Sequence, residues 1–404
     1  MKQNIKRDKY VALQKGTVIA ILTGFFVLLV VLLNRTNVAK GLGQAGSMQV
    51  QYEHATVLKI TQQSLKKDPD TGYQNGTQML QIRIDSGKYQ SNVLTIKNYL
   101  SNYSNVVATQ GGTLVVRVSG LEQKPDVAVF SYYRAPYIYA LIILFFIVLS
   151  IVGGRRGIRS AASLVVSFLC ILFIYIPSVL RGASPLLMAL IIAGYITLVS
   201  MIFLSGFSRK TWTAIIGTLA GVLFSAGIAV LSGALMHLNG FNSPESETLI
   251  QLSGLAKIQV GGVLFGGIII AALGAIIDIA VSIASSMDEL NRHAPDMGTH
   301  ALFASGMNIG RDMVGTMANT LILAFAGSSM MELLLIVSNN IPYNQLLNTP
   351  WIGIEVIESL SGSIGVILTV PLIAYIGAKL IPVLSVKEKP KNVFVAFARQ
   401  KKPF

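Results

Sequence analysis

Apolar residues fall along this chain in long unbroken runs, separated by short polar flanks. A bilayer core takes roughly 20 apolar residues in helix. Eight stretches approach that length: 16–33, 137–152, 161–180, 185–204, 212–235, 258–285, 313–337 and 362–382. Between the first and second runs the pattern changes. From Asn34 to Arg134 polar and apolar residues alternate with a period of two, at Ala55 to Ile60, Gln78 to Asp85, Val93 to Ile96, Leu114 to Val118 and Val127 to Tyr132. Turn signals separate these segments at Asp68-Pro69-Asp70, Asn75-Gly76, Ser86-Gly87 and Gly111-Gly112. The prediction is a mainly α fold, a polytopic helical membrane bundle of about eight transmembrane helices with a small extracytoplasmic β domain. That domain is expected to be a barrel or sandwich, with an OB-like barrel as one option. The expected order is a basic segment 1–15, a first span 16–33, the β domain 34–135, the membrane bundle 136–384 and a basic tail 385–404.

Composition agrees with that reading and supplies an orientation. The 404 residues are 52% hydrophobic and 12% charged, whereas a soluble domain carries about a quarter charged residues. The formal charge is +14. A nucleic-acid binder would spread its cations along a polar face; here they lie between apolar runs, so no nucleic-acid partner is expected. Lys2, Lys6, Arg7, Lys9 and Lys15 precede the first run. Arg155, Arg156 and Arg159, then Arg209 and Lys210, then Arg292 and Arg311, then the tail from Lys387 to Lys402 mark alternate flanks after it. The opposite loops hold Arg181, Glu245, Glu247, Glu355 and Glu358. The positive-inside rule places both termini in the cytoplasm, as an even number of spans requires. Tyr132, Tyr133, Tyr137 and Tyr139 read as an interfacial aromatic belt. The first run fits a signal anchor better than a cleaved signal peptide, being long for such a core and lacking a small-x-small site directly after it. A single cysteine, Cys170, excludes a disulfide framework within one chain. The four histidines, at 54, 237, 293 and 300, show no ligand spacing, and no metal or cofactor is expected.

One carboxylate breaks the apolar pattern. Asp278 lies among Ala275, Ile276, Ile277, Ile279 and Ala280 in the sixth run, where an ionisable side chain is costly unless protonated, paired or facing water. Gly267, Ala271, Gly274, Asp278, Ser282 and Ser285 follow at helical spacing and share a face. Small residues there read as a helix-packing seam that turns the carboxyl into the bundle. The seventh run opens with Arg311 and Asp312, and Asp312, Thr316, Asn319 and Thr320 share a face beside Gly315. Counted from the cytoplasmic ends taken at Ser285 and Asp312, Asp278 comes level with Asn319 and Thr316. This carboxyl, amide and hydroxyl set can serve a proton or a small cation, or satisfy itself. Arg311 reads as an interfacial anchor or an ion-pair partner.

The polar stretch Met287 to Gly310 is predicted to form a short amphipathic helix on the membrane surface. Glu355 and Glu358, after Trp351, read as one face of an outer interfacial helix. Enzyme signatures are missing: the chain has no HExxH and no GxxxxGK[ST]. Ser361-Gly362-Ser363-Ile364-Gly365 lacks the first glycine of a GxSxG elbow and reads as a tight-packing segment. No catalytic residue and no enzymatic activity are expected.

Three segments give the chain a family likeness: Gly153-Gly154-Arg155-Arg156-Gly157-Ile158-Arg159, the run Gly274 to Ser285 around Asp278, and Ser305-Gly306-Met307-Asn308-Ile309-Gly310-Arg311-Asp312 continuing to Gly327. In these the chain resembles the YibE/F-like bacterial membrane proteins, and its outer domain makes it similar to the YibE-like members. The resemblance implies a multi-pass protein of the bacterial plasma membrane and a YibF-like membrane partner or a homo-oligomer. It carries over no catalytic residue and no substrate. A looser likeness of layout, with an outer domain after span one, a membrane aspartate, a cytoplasmic linker and a helix opening with Arg, is to Sec export-motor subunits and resistance-nodulation-division transporters. It implies coupling to a proton or cation. The expected function is therefore a transporter or export-associated permease working through Asp278, with a non-transporting scaffold as the alternative.

Overall fold

The computed structural model of the protein describes residues 50–119, 126–241 and 258–385, with Gly24, Val30, Val31, Ser246 and Leu249 besides. The rest of the expected first span, the basic N-terminal segment, the tail and the loop carboxylates Glu245 and Glu247 lie outside the described residues. Two compact units divide the chain between Val152 and Gly153.

The first unit holds one antiparallel sheet of β1 (Gln51–Lys67), β2 (Gln74–Ile84), β3 (Val93–Leu100), β4 (Thr113–Ser119) and β5 (Asp126–Tyr132), in the order β3-β2-β1-β4-β5. All five predicted strands are present. β1 is long enough to serve two partners, pairing β4 through Gln51 to Thr56 and β2 through Ala55 to Lys67. Register shifts between Val57 and Lys59 and between Ile60 and Gln62 bend it as bulges do, so the sheet curls into a half-barrel. Alternate residues line its inside: Ala55 and Val57, Leu80, Ile82 and Ile84, Leu114, Val116 and Val118 are all buried. β3 and β5 come near each other without pairing.

Segment Asn105 to Ala108 fills the space between them. Gln78, fully buried, donates to Ala108 O at 3.1 Å and accepts from Ala108 N at 3.0 Å, while Asn98 donates to Gln78 Oε1 at 3.2 Å and to Val106 O at 2.8 Å. From the other side Val107 N donates to the Tyr132 hydroxyl at 2.8 Å. Tyr132 thus serves the β core, and Tyr133 lies 4.1 Å, ring to ring, from His54. Tyr137 and Tyr139, just beyond the last strand, are exposed. One turn signal also reads differently. Asn75-Gly76 lies inside β2, both residues paired with β1 and Gly76 also with β3; at Gly76, with φ 140°, a β-carbon would stand 2.1 Å from Ser64 O. That glycine permits close approach of β1, and the chain reverses earlier, around Asp68 to Tyr73.

The helices are α1 (Ala135–Cys170), a π turn (Ile171–Tyr175), α2 (Ile176–Leu180), α3 (Pro185–Ser205), α4 (Arg209–Leu235), α5 (Val260–His293), α6 (Thr299–Ser328), α7 (Met330–Ser338), α8 (Tyr343–Leu347) and α9 (Pro350–Ser385). Among the described residues five helical stretches are long and apolar enough to cross a membrane, and six if α6 and α7, bent by 61°, count as one span. The two expected spans 137–152 and 161–180 fall in one stretch, Ala135–Leu180, interrupted at Gly154 (φ 53°, ψ −136°). Left-handed backbone of that kind suits glycine and breaks the helix there.

Three other expectations change. The surface helix between Met287 and Gly310 is not a separate element, because α5 runs on to His293 and α6 begins at Thr299. The helix that carries the seventh apolar run starts earlier than that run, at Thr299, and breaks at Ser329. Glu355 and Glu358 belong to the same helix as the last span, which begins at Pro350.

In the second unit α9 is central, against α4, α5 and α6, and α3 packs on α4 and α5. Glycines bring these helices together. A β-carbon at Gly217 would lie 1.8 Å from Ile373, at Gly221 1.9 Å from Thr369, at Gly365 2.6 Å from Ser225 and at Gly310 2.1 Å from Val370. Gly362, within the segment read as tight-packing, fits between Leu321 and Ala272 in the same way. Four hydroxyls on these apolar helices turn back onto their own backbone. Thr197, Ser361, Ser363 and Thr369 each donate to the carbonyl four residues earlier, which spares them an unpaired donor in an apolar setting.

Candidate functional site

α5 has two unlike faces. Ile269, Ala272, Leu273, Ile276, Ile279, Ala280 and Ile283 are buried against the bundle. Gly267, Ala271, Gly274 and Asp278 are exposed on the opposite side, and nothing lies within 4 Å of a β-carbon built at Gly267 or Gly274. Ser282 and Ser285, further along, are half-buried. Among the described residues the stripe is therefore an open face. The seam expected there is built elsewhere, by Gly217 and Gly221 of α4 and Gly306 and Gly310 of α6. Both pairs have the four-residue GxxxG spacing that lets helix backbones meet, and that spacing is the signal that identifies them.

α6 lies antiparallel to α5. Gly306 sits against Met287, Gly310 against Ile283, and Leu321 and Ala272 meet at Gly362. Interpolating between these contacts brings Asp278 level with Gly315 and Thr316, and Asn319 level with Gly274, about 6 Å further along at helical rise. The expected level of Asn319 is thus one turn off. Asp312, Gly315, Thr316, Asn319 and Thr320 are exposed, and a β-carbon at Gly315 also meets nothing within 4 Å.

The chemistry presented is a set of oxygens. Thr316 donates its hydroxyl proton to Met313 O at 2.9 Å, and Thr320 donates to Thr316 O at 2.8 Å. Their donors are used, and lone pairs remain for a ligand. Among the described residues Asp278 has no hydrogen bond and no ion pair. A carboxylate, a hydroxyl oxygen and an amide oxygen suit a proton or a hard cation. Arg311 does not pair with Asp312; it reaches Asn308 Oδ1 at 3.4 Å.

A family model described as YibE/F-like protein matches residues 141–383. The chain belongs to the YibE/F-like family. No curated protein and no solved structure matches it. The YibE/F-like region takes in Asp278, Asp312, Thr316 and Asn319, the glycine contacts of α4, α6 and α9, and the break at Gly154. The five strands lie before it.

Four other titratable groups of the YibE/F-like region pair locally. Asp288, buried, pairs with Arg292 at 3.0 Å, and Glu289 meets His293 at 3.1 Å, both one turn apart on α5. Among the described residues no group of three His, Cys, Asp or Glu side chains could hold a metal ion.

Proposed function

We propose that the protein is a multi-pass transporter or export-associated permease of the bacterial plasma membrane, coupled to a proton or small cation through Asp278. The observation that carries this reading is a carboxylate on an apolar helix, without a partner among the described residues and level with Thr316 of α6. Binding at Asp278 removes its charge, and a neutral side chain can repack against apolar surroundings that repel a charged one. The glycine contacts of α9 with α4 and α6 are where helices could slide in response. Eight spans follow if Ala135–Leu180 crosses twice about Gly154, if α6 with α7 crosses once and if 16–33 crosses once; both termini then face the cytoplasm. The strand order with β3 near β5 supports an OB-like, partly open barrel outside. No enzymatic step is assigned.

Flux is the test. Purified protein in proteoliposomes with an imposed proton or sodium gradient should dissipate it, and Asp278→Asn should reduce the rate at least about tenfold, the scale of losing an interaction of ~1.4 kcal/mol. Equal flux in the two proteins would sink the reading. A second reading has an observation of its own. The open face of small residues on α5 suits a helix from another chain, so a scaffold assembling with a YibF-like partner or a second copy accounts for it. A stable complex, absence of flux and tolerance of Asp278→Asn would select that reading.

A further inference from the structure

The sheet carries an aromatic cluster on its outer side. Ala55 and Val57 of β1 point into the half-barrel, so Tyr52 and His54 stand on the opposite face of the strand. Tyr52 pairs across to Arg117 of β4, and Arg117 pairs across to Ala128 of β5. β5 holds one extra residue: Val116 pairs with Val129 while Val115 pairs with Ser131, which leaves Phe130 in a bulge. The Phe130 ring meets that of Tyr52, with centroids 4.7 Å apart at 63°, although β4 lies between their strands. A second pair, His54 and Tyr133 at 4.1 Å, extends the cluster along β1, since Tyr52 and His54 are two residues, about 7 Å, apart on one face.

Tyr52 remains 54% exposed and Phe130 55%, even with each ring against the other. Contiguous apolar exposure of this kind marks a surface that meets something other than water, and its surroundings identify the occupant. Tyr133 precedes α1 by two residues, so the cluster begins within about 7 Å of the helix start. The sheet and the part of α1 up to Val152 form one compact unit, and no residue from 135 to 152 is buried. In a membrane that apolar helical surface faces lipid, and through Tyr133, Tyr137 and Tyr139 the cluster is continuous with it. The charges agree. Arg117 is exposed and among the described residues has no ion pair or side-chain hydrogen bond. Arg134, also exposed, donates to Ser131 Oγ at 2.6 Å and lies 5.6 Å from the Tyr132 ring. Aromatic rings among cations suit the level of a bilayer at which phosphates cover the first acyl carbons.

We propose that this face of the sheet rests on the membrane surface from which α1 emerges, with the Tyr52 and Phe130 rings among phospholipid headgroups and Arg117 and Arg134 on their phosphates. The partner is the bilayer itself, recognised through phosphate and the upper acyl carbons. The inference rests on α1 crossing a membrane and is independent of Asp278. Seated in this way, the start of β1 lies against lipid, while the turn around Asp68 to Tyr73, at the other end of β1, stays in water. The bulge then has a use, because it turns one additional ring toward the cluster.

The experiment uses the full chain carrying Trp212→Phe and Trp351→Phe, which removes both tryptophans. Phe130→Trp, Tyr52→Trp and Tyr73→Trp, made in separate proteins, then supply one reporter each, so damage to the fold by one leaves the others to decide. The proteins are placed in phosphatidylcholine vesicles, with or without phosphatidylcholine brominated near the top of its acyl chains. Brominated lipid should quench Phe130→Trp and Tyr52→Trp several-fold and leave Tyr73→Trp unchanged. Iodide, present on both sides of the vesicle, should quench in the reverse order. Iodide access to the two cluster reporters equal to that of Tyr73→Trp, without quenching by lipid, overturns the proposal. Protection from iodide without quenching by lipid also overturns it, since protein and not the bilayer would then cover the face. Equal lipid quenching of all three reporters overturns it as well, because contact with lipid would not be confined to this face.

Discussion

The two sets of small residues in the bundle share a composition and differ in what they touch. Gly217 and Gly221 of α4 and Gly306 and Gly310 of α6 lie where a β-carbon would overlap side chains of α5 or α9. Gly267 and Gly274 of α5 face open space. Small residues at helical spacing permit close approach, but a partner must be present to use it. In the first set the partner is α9 or α5. In the second, no described residue fills that place. Asp278 continues the second set, so the unusual carboxylate lies on the face that the chain's described helices leave open.

The most severe way to break this comparison is to fill both sets with the same side chain. Gly221→Leu drives a branched chain into Thr369 and Ile276, and Gly310→Leu does the same to Val370 and Ile283. Each should destabilise the bundle by about 3 kcal/mol, the upper range for overpacking. Gly274→Leu should stay within ~0.5 kcal/mol, as a change touching nothing does. Detergent-induced unfolding of the three variants measures the difference. If Gly274→Leu proves as damaging as Gly221→Leu, the face is covered and the contrast disappears.

The β unit sharpens the point by using polar bonds where the bundle uses shape. Gln78 ties β2 to β3 and to the segment that fills the space between β3 and β5, with Asn98 as its neighbour. Gln78→Leu fits the volume and removes the bonds, leaving Ala108 N without its acceptor in a buried place. The expected loss is about 2 kcal/mol. Hydrogen exchange in the full-length protein should show it as faster exchange at Ala108 and along β2, with α9 unchanged. Unchanged exchange at Ala108 would mean that the segment is held by its apolar contacts alone.

Most of this architecture is legible in the sequence, and the errors have a common cause. The five strands follow from alternation, the apolar helices from their length, and Asp278 from being a charge in an apolar run. The level of Asn319 fails because the helix ends do. Asp288, Glu289, Arg292 and His293 look like a polar connector. On α5 they form pairs one turn apart, at 3.0 Å and 3.1 Å, that carry the helix beyond its apolar part. Counting from Ser285 and Asp312 therefore starts from the wrong ends. The open face of α5 was not legible, because spacing alone does not say whether a neighbour exists. Gly76 misleads for a similar reason: Asn-Gly signals a turn locally, while the close approach of β1 at Ser64 O is a long-range contact.

The smallest expected effect concerns charge in the β unit, where pairing is local and solvated, unlike the carboxylate on α5, which has no partner among the described residues. Burial pushes the Asp85 carboxyl upward, but the Thr56 hydroxyl and the Arg83 guanidinium outweigh it, and the net displacement is below the usual aspartate range. Asp68 is also held low, by the backbone N–H groups of Thr71 and Asp70. A carboxyl lowered on folding contributes stability that is present above its unfolded pKa and is lost as the pH falls through the folded value. The β unit should therefore keep its stability down to about pH 4 and lose it progressively below that, near where free aspartate titrates. Asp85→Asn should flatten part of that acid slope and cost less than about 1 kcal/mol at neutral pH, because the ion pair is partly exposed. Amide exchange at β2 across pH 3 to 6, corrected for intrinsic rates, would read the slope; an identical slope in Asp85→Asn would show that the Thr56 and Arg83 contacts are not linked to folding.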